Sequence, residues 1–416
     1  MKKYEIYKDS GLEWLGMVPE HWEILPFKRG VSINNGRDYK HVQSEEGYPV
    51  IGSGGQFTFA SAYLYDGEVI LLGRKGTIDK PRYFNGKFWT VDTMFYAIPN
   101  HKCIAKYMYY QALTIPFGFY STDTALPSMT QTDLGNHPMC FPPISEQRTI
   151  ASYLDHKVGQ IDALISEKEK MVEDLKAYRS SLITETVTKG LDKEVKMKDS
   201  GVEWIGKMPE TWTTVLLKRC ASIMTGGTPS IDVDRYWADP TFPWYTPSDF
   251  SDDDVILKDS SRKLDETAIK EHAAKFFPKN SVLIVGIGAT LGKVGISLNE
   301  CSSNQQVNAI IFNPMVLPEY GAYYLLAGKE YIKSQSNAAT LPILNQSTMG
   351  EFQIVVPTID EQKNIIDFIN KKVYIIKESI EKLQIQISDL SSYKSSLITE
   401  AVTGKIDLRD WQTQKS

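Results

Sequence analysis

The sequence predicts an α+β protein: two α/β domains joined by two long antiparallel coiled-coil helices, the whole forming an internal pseudo-two-fold repeat. Three observations predict this. First, KDSGLEWLGMVPEHWEILPFKRG from Lys8 returns as KDSGVEWIGKMPETWTTVLLKRC from Lys198 with 12 of 23 positions identical, and YRSSLITETVT from Tyr178 returns as YKSSLITEAVT from Tyr393 with 9 of 11 identical. Second, two stretches carry apolar residues at alternating steps of four and three, the coiled-coil period. Third, the regions before those stretches alternate short apolar runs with glycine turns, as small mixed domains do. The expected boundaries are a mixed domain over 1–144, a long helix over 145–187, a linker over 188–197, a second mixed domain over 198–359, a second long helix over 360–402 and a C-terminal tail over 403–416.

In the first mixed domain, strands are expected at Tyr48 to Ser53, Glu68 to Leu72 and Met94 to Ile98, and a helix at Ile104 to Leu113. In the second, strands are expected at Ser281 to Val285, Val294 to Leu298 and Val307 to Phe312, and a helix at Tyr320 to Gln335. Both long helices follow prolines, with Ser145 and Asp360 as expected N-caps. The first seam is Leu154, Val158, Ile161, Ile165, Val172, Leu175 and Leu182, interrupted by Lys168 and Arg179. The second is Ile369, Val373, Ile376, Ile380, Leu383, Ile387, Leu390 and Leu397, interrupted by Lys394. A helix of about 40 residues is about 60 Å long. Two equal stripes in one chain can satisfy each other, and a two-fold relation would make the helices antiparallel.

The chain has 416 residues, enough for two to four domains, and its 42% hydrophobic and 11% aromatic content fits folded domains. Its apolar runs are too short to span a bilayer, and MKKYEIYKDS lacks the apolar core of an export signal, so a cytoplasmic location is expected. Cys103, Cys140, Cys220 and Cys301 lie far apart with no CxxC pair, which argues for free thiols in a reducing compartment. The six histidines are scattered and show no zinc pattern. A net charge of −5 and a pI near 5.8 argue against a simple basic nucleic-acid binder. The charge is nevertheless uneven. Arg74, Lys75, Lys80, Arg82 and Lys87 face only Asp79 between residues 73 and 89, a patch that can serve DNA locally. Asp252 to Asp254 read most simply as a solvated loop kept away from phosphate.

Catalytic signatures end in near misses. Gly286 to Lys293 has five residues between Gly286 and Gly292 where a phosphate loop has four, and Val294 stands where that loop needs Ser or Thr. No Asn-Pro-Pro-aromatic sequence of an adenine methyltransferase is present. The chain is therefore expected not to be an enzyme. Two turns recur inside otherwise divergent regions. Gly73 to Lys80 matches Gly286 to Lys293, sharing Gly, Thr and Lys; glycines let backbone N–H groups approach phosphate, though a plain hairpin turn reads equally well. LPSMTQTDLG from Leu126 matches LPILNQSTMG from Leu341, aligning Gln131 with Gln346; glutamine can bond an adenine edge in two places or simply cap a turn. The paired tryptophans Trp14, Trp22, Trp204 and Trp212 are expected in local core rather than as base-stacking platforms.

These markers together resemble the specificity subunit of type I restriction-modification systems. They are KDSGxEWxGxxPExW opening each half, TGGTPS at Thr225 with TPSDF at Thr246, the PPISEQ and PTIDEQ helix starts and the SSLITExVT helix ends. They span nearly the whole chain. The first half departs from the pattern in lacking GGTPS and in being about 25 residues shorter between the shared markers. The resemblance implies two target recognition domains that each read one half of a split site in double-stranded DNA, and a helical spacer that docks two methyltransferase subunits. Those partners would use S-adenosylmethionine, and motor/endonuclease subunits using ATP and magnesium can join them; no cofactor is expected in this chain. Arg74, Lys75, Lys80, Gln131, Lys293 and Gln346 are the expected DNA-facing residues. Glu146, Gln147, Glu361 and Gln362, with the SSLITE segments, are the expected partner-docking residues. The rival readings are a protein-binding scaffold, which would show no sequence-dependent DNA binding, and an endonuclease, which would need a carboxylate cluster for metal.

Overall fold

The computed structural model describes residues 2–120, 127–252, 254–334 and 343–412. Leu126, Asp253, Gln335, Leu341, Pro342 and the last four residues of the expected tail lie outside the described residues. The chain divides into two compact units. Unit 1 is Met1–Lys170 with Leu383–Ser416, and unit 2 is Met171–Lys382. Each unit thus holds one mixed domain, the start of its own long helix and the end of the other repeat's helix.

The sheets of the two units share a four-strand antiparallel kernel. In unit 1 its order is Val31–Asn35, Met94–Pro99, Tyr65–Gly73, Arg82–Thr90. In unit 2 it is Ala221–Thr225, Val307–Phe312, Ser281–Val285, Val294–Ser297. The apolar run Ser281–Val285 is buried at all five positions because this strand is central and covered on both faces. Beyond the kernel the units diverge. Unit 1 extends the sheet through Tyr48–Gly52, Gly55–Ala60 and Gln43–Ser44. Unit 2 adds a separate sheet of Arg262–Leu264, Phe242–Tyr245 and Ser302–Ser303. A helix packs on each kernel, Ala105–Ala112 in unit 1 and Pro318–Ala327 in unit 2. The helix expected over Tyr320 to Gln335 is two pieces, since the chain breaks at Gly328 before Lys329–Ser334. There Phe352 and Trp204 crowd in, and a Cβ would meet them at 3.1 and 3.2 Å.

The long helices are Ile144–Lys189 and Ile359–Val402, about 69 and about 66 Å long at ~1.5 Å per residue. They start earlier than expected. Ser145 and Asp360 lie in the first turn, and the first carbonyls to accept are those of Pro143 and Thr358. Thr358 is the better cap, because Glu361 closes a box with it: the Glu361 N–H donates to Thr358 Oγ1 at 3.3 Å and the Thr358 N–H to Glu361 Oε2 at 3.0 Å. Proline at 143 has no such hydroxyl. All the predicted seam residues are buried or half-buried, including the three interruptions. Within unit 1, Lys394 reaches Asp162 at 2.7 Å and Lys168 reaches Gln386 Oε1 at 2.7 Å, pairings that require antiparallel helices. Polar residues in a seam lower stability and fix register.

The repeated sequence marks converge on one node per unit. In unit 1, Trp22 is fully buried and its indole N–H donates to Glu146 Oε2 at 3.1 Å. Gly404, just past the second long helix, has φ +71°, and a Cβ there would meet Pro19 at 2.3 Å and Trp22 at 3.1 Å. In unit 2, Trp212 donates to Glu361 Oε1 at 3.2 Å, and Gly190, with φ +77°, lies against Trp212. Tyr107 and Tyr320 complete the nodes by donating to the last helical carbonyls, Val402 at 3.3 Å and Val187 at 3.0 Å. PExW, the helix start and the SSLITExVT end are therefore shared because each unit needs all three to hold its helix pair.

Candidate nucleic-acid interface

Both kernels end in the same construction. In unit 1 the turn after Tyr65–Gly73 is stitched to the segment before Gln131: Met129 N–H donates to Arg74 O at 3.0 Å, Gly76 N–H to Pro127 O at 2.9 Å, and Lys75 forms a bridge with Ser128. In unit 2, Leu344 N–H donates to Gly286 O at 2.8 Å and Ile287 bridges Ile343. These partners shift the sequence alignment of the two turns by one residue. Arg74 corresponds to Gly286 and Lys75 to Ile287, while Gly76 and Gly288 share the left-handed backbone at φ +82° and +90°. The basic pair of unit 1 thus has no charged counterpart in unit 2.

Gln131 and Gln346 each open a short helix behind a capping residue. Thr130 Oγ1 accepts from Asp133 N–H, and Asn345 Oδ1 from Thr348 N–H. Both glutamines are exposed, and both brace against the first kernel strand. Gln131 Nε2 donates to Ile33 O at 2.9 Å and Gln346 Nε2 to Thr225 Oγ1 at 2.9 Å. Arg74, Lys75 and Gln131 are therefore brought to one edge. Arg74 lies 5.9 Å from the Phe95 ring centroid, with Nη1 3.4 Å from Asp92 O, and Lys75 is exposed. Lys80 is exposed in an open cleft of about 440 Å³ with Arg82, Tyr83, Lys106, Tyr109 and Asp155.

Lys293 has a different role from the one expected of it. Its side chain is 19% exposed, and Nζ sits 3.1 Å from Asp252 Oδ2 and 3.2 Å from Phe250 O. Asp252 also takes Lys329 at 2.9 Å, and Asp254 takes Lys377 at 3.4 Å. Burial works against the Asp252 charge, but the bonds from Lys329 and Lys293 outweigh it and hold the carboxyl below its usual range. At its described residues the acidic run is solvated as expected, with the Asp252 side chain 60% exposed, and it also forms a clasp inside unit 2. Lys293 serves that clasp, where its ammonium and that of Lys329 share the one carboxylate of Asp252.

Of the four residues expected to dock partners, the two glutamines are corrected. Gln147 and Gln362 are 1% and 0% exposed. Gln147 Oε1 accepts from Ile104 N–H and its Nε2 donates to Lys102 O and Pro142 O; Gln362 does the same with Leu317, Met315 and Pro357. Glu146 accepts from Tyr4, His21 and Trp22, and Glu361 from Thr358 and Trp212. The two glutamines are spent on buried backbone groups and have no face for a partner, whereas Glu146 and Glu361 are half-buried and each braces a buried indole. Trp22 and Trp212 are core as expected, whereas Trp14 is half exposed and stacked on His137 with ring centroids 5.4 Å apart.

Sequence reasoning missed an amide cluster in unit 2. Thr225 Oγ1 donates to Asn308 Oδ1 at 2.7 Å, and Thr228 Oγ1 to Gln305 Oε1 at 2.6 Å. The signal was the run Asn304-Gln305-Gln306, which only the sheet sets opposite TGGT. Chemistry of other kinds finds little footing. The four cysteines are free and buried, and burial pushes the Cys140 thiol up to about 12 and the others to about 11. Among the described residues, no group of three or more His, Cys, Asp or Glu could hold a metal ion, and no helix is long and apolar enough to cross a membrane.

The family described as the type I restriction modification DNA specificity domain matches residues 20–174 and 209–388, one match in each repeat. The MjaIX type I restriction enzyme specificity subunit of Methanocaldococcus jannaschii is 35% identical over 165 residues, which span 39% of this chain and only 38% of that protein. The EcoBI specificity subunit of Escherichia coli is 20% identical over 98% of this chain and 90% of its own length. A chain from a solved structure on complex assembly and conformational transition of the type I R-M system shares the fold, with a TM-score of 0.71 at 14% identity over 94% of this chain and 99% of that one.

Proposed function

The chain belongs to the family of type I restriction-modification DNA specificity domains, and from that premise we propose that it is a sequence-specific DNA-binding subunit that reads a bipartite, interrupted site and directs partner methyltransferase subunits to it. The observation that carries this reading is the repeat itself. One frame is built twice, with the same node and the same kernel, and the chain diverges where the kernel ends. Two equal frames with unequal edges suit two unlike half-sites. Phosphate contacts position such a protein, and base-edge contacts give it a sequence.

Arg74, Lys75 and Lys80 are the proposed phosphate contacts of unit 1, and Gln131 and Gln346 the proposed base-edge contacts of the two units. The two long helices, Ile144–Lys189 and Ile359–Val402, are the proposed spacer between recognition domains. Lengthening each helix by four residues would add ~6 Å. At ~3.4 Å per base pair the unread gap would then widen by one or two pairs.

Two methyltransferase subunits are the proposed partners, supplying S-adenosylmethionine chemistry, and motor/endonuclease subunits with ATP and magnesium can add cleavage. Docking falls to exposed apolar residues off the seam. In unit 1 these are Leu164, Ile385 and Tyr393, 46, 60 and 51% exposed, and in unit 2 they are Met171, Tyr178 and Tyr374, 46, 55 and 62% exposed. The proposed location is the cytoplasm, where DNA and these partners meet.

The test is the adenine methylome of the source cell with this gene intact and deleted. Loss of methylation at one split motif is the expected result. An unchanged methylome, in cells where a methyltransferase co-purifies with this chain, would overturn the reading.

A further inference from the structure

We infer that Gln305, oriented by Thr228, reads an adenine edge beside Gln346, so that the half-site of unit 2 contains an adenine·thymine pair at the position Gln305 faces. This rests on the DNA-reading function proposed above. Thr225 to Thr228 run alongside the loop before Val307–Phe312, with Gly226 N–H donating to Val307 O at 3.0 Å and Gly227 N–H to Ser303 O at 2.8 Å. The two glutamines lie at the two ends of this short stretch, Gln346 on the Thr225 hydroxyl and Gln305 on the Thr228 hydroxyl. Three residue steps span at most ~10 Å, about three base pairs.

Both side chains are exposed, yet each is held at one atom only. Gln305 Oε1 takes the Thr228 proton, which leaves its second lone pair and both amide protons. Gln346 Nε2 spends one proton on Thr225 and keeps the other, with Oε1 as acceptor. Each therefore retains the donor and acceptor that match adenine N7 and N6 in the major groove. Orientation is fixed beforehand, so less freedom is lost on binding. The loop under them is itself braced, because Trp244 Nε1 donates to Gly227 O at 3.1 Å and Trp237 Nε1 to Ser230 O at 3.2 Å. Arg262 lies 5.0 Å from the ring centroid of Trp244 and 4.9 Å from that of Trp237. At the matching places unit 1 carries Asp92 and Asn35 in place of Gln305 and Thr225, so the adenine preference proposed for Gln305 has no counterpart in the other half-site.

The experiment selects a randomised double-stranded DNA library on the complex purified from its own cell through a tag on this chain. The wild type is expected to return two blocks around a fixed gap. Gln305→Ala should lower the adenine preference at one position of one block roughly tenfold or more. Thr228→Val, which removes the brace and keeps the shape, should relax the same position less. Gln346→Ala should relax a neighbouring position of the same block. An unchanged motif in the Gln305→Ala complex, a relaxed position that is not adenine·thymine, or an effect in the other block would overturn the inference. A wild-type complex that enriches no sequence would overturn the proposed function itself. Gln305 is exposed, so its variant should melt with the wild type, and Gln305→Met provides a second substitution of similar volume.

Discussion

Units 1 and 2 are nearly interchangeable at their nodes and unlike at their edges. In one, Trp22 ties Glu146 to the glycine after the second long helix; in the other, Trp212 ties Glu361 to the glycine after the first. At the edge, unit 1 offers Arg74, Lys75 and Gln131, while unit 2 offers Thr228, Gln305 and Gln346. The difference teaches that the residues repeated at the nodes hold the helix pairs, while the kernel edges, where we propose DNA is read, share only the aligned Gln131 and Gln346. Repeated markers such as Glu-Gln are thus poor guides to an exposed binding surface, because their repetition reflects a buried task performed twice.

The sharpest way to break the equivalence is at the nodes. Trp22→Ala and Trp212→Ala should each cost about 3–5 kcal/mol, measured by denaturant unfolding, with hydrogen exchange rising first in the unit that carries the change. Equal exchange across both units would mean the nodes are not independent. Next comes pH. His137 is 1% exposed, and burial pushes its imidazole down to about 4, whereas Phe352 holds the matching place in unit 2. A depressed histidine favours the neutral fold, so stability is full above about pH 6.5 and falls as pH drops toward about 4, by about 3 kcal/mol in all. His137→Phe should flatten that slope in thermal melts between these pH values, and a slope that persists would assign it to another group.

The glycines give a smaller contrast. Gly404→Ala should destabilise by at least about 1 kcal/mol, since φ +71° and Pro19 at 2.3 Å both oppose a Cβ. Gly190→Ala should cost less, because its nearest neighbour is a Trp212 ring atom at 3.1 Å. Equal melting shifts would show that backbone conformation alone decides. The smallest effect separates two lysines. Lys75→Ala should lower the salt dependence of DNA binding by about one counterion, whereas Lys293→Ala should leave that slope alone and loosen the Asp252 clasp. A lower slope with Lys293→Ala would restore it as a phosphate contact.

Much of this was legible in advance. The duplication, the seam from Leu154 to Leu182 and the strands Ser281–Val285 and Val307–Phe312 follow from identity, heptad spacing and apolar runs, all of which are local along the chain. The helix starts differ by one residue because Ser145 and Asp360, each a short way past a proline, look like caps, while the first accepting carbonyls are those of Pro143 and Thr358. At the candidate interface, Gln131 and Gln346 were legible as aligned turns, but Gln305 was not, since its partner Thr228 lies 77 residues away.

The sequence by itself determined that this chain is one frame used twice, because repetition and periodicity are properties of order along the chain. Only the tertiary structure decided which repeated residues are free. Gln147 and Gln362 are polar at the start of exposed-looking helices, yet they are consumed by buried N–H and C=O groups, most of them from distant segments, and Glu146 and Glu361 beside them each hold the indole of a distant tryptophan. Lys293 is likewise engaged by Asp252, which is 41 residues away. A buried polar group must be paired, and no local pattern records which distant partner claims it.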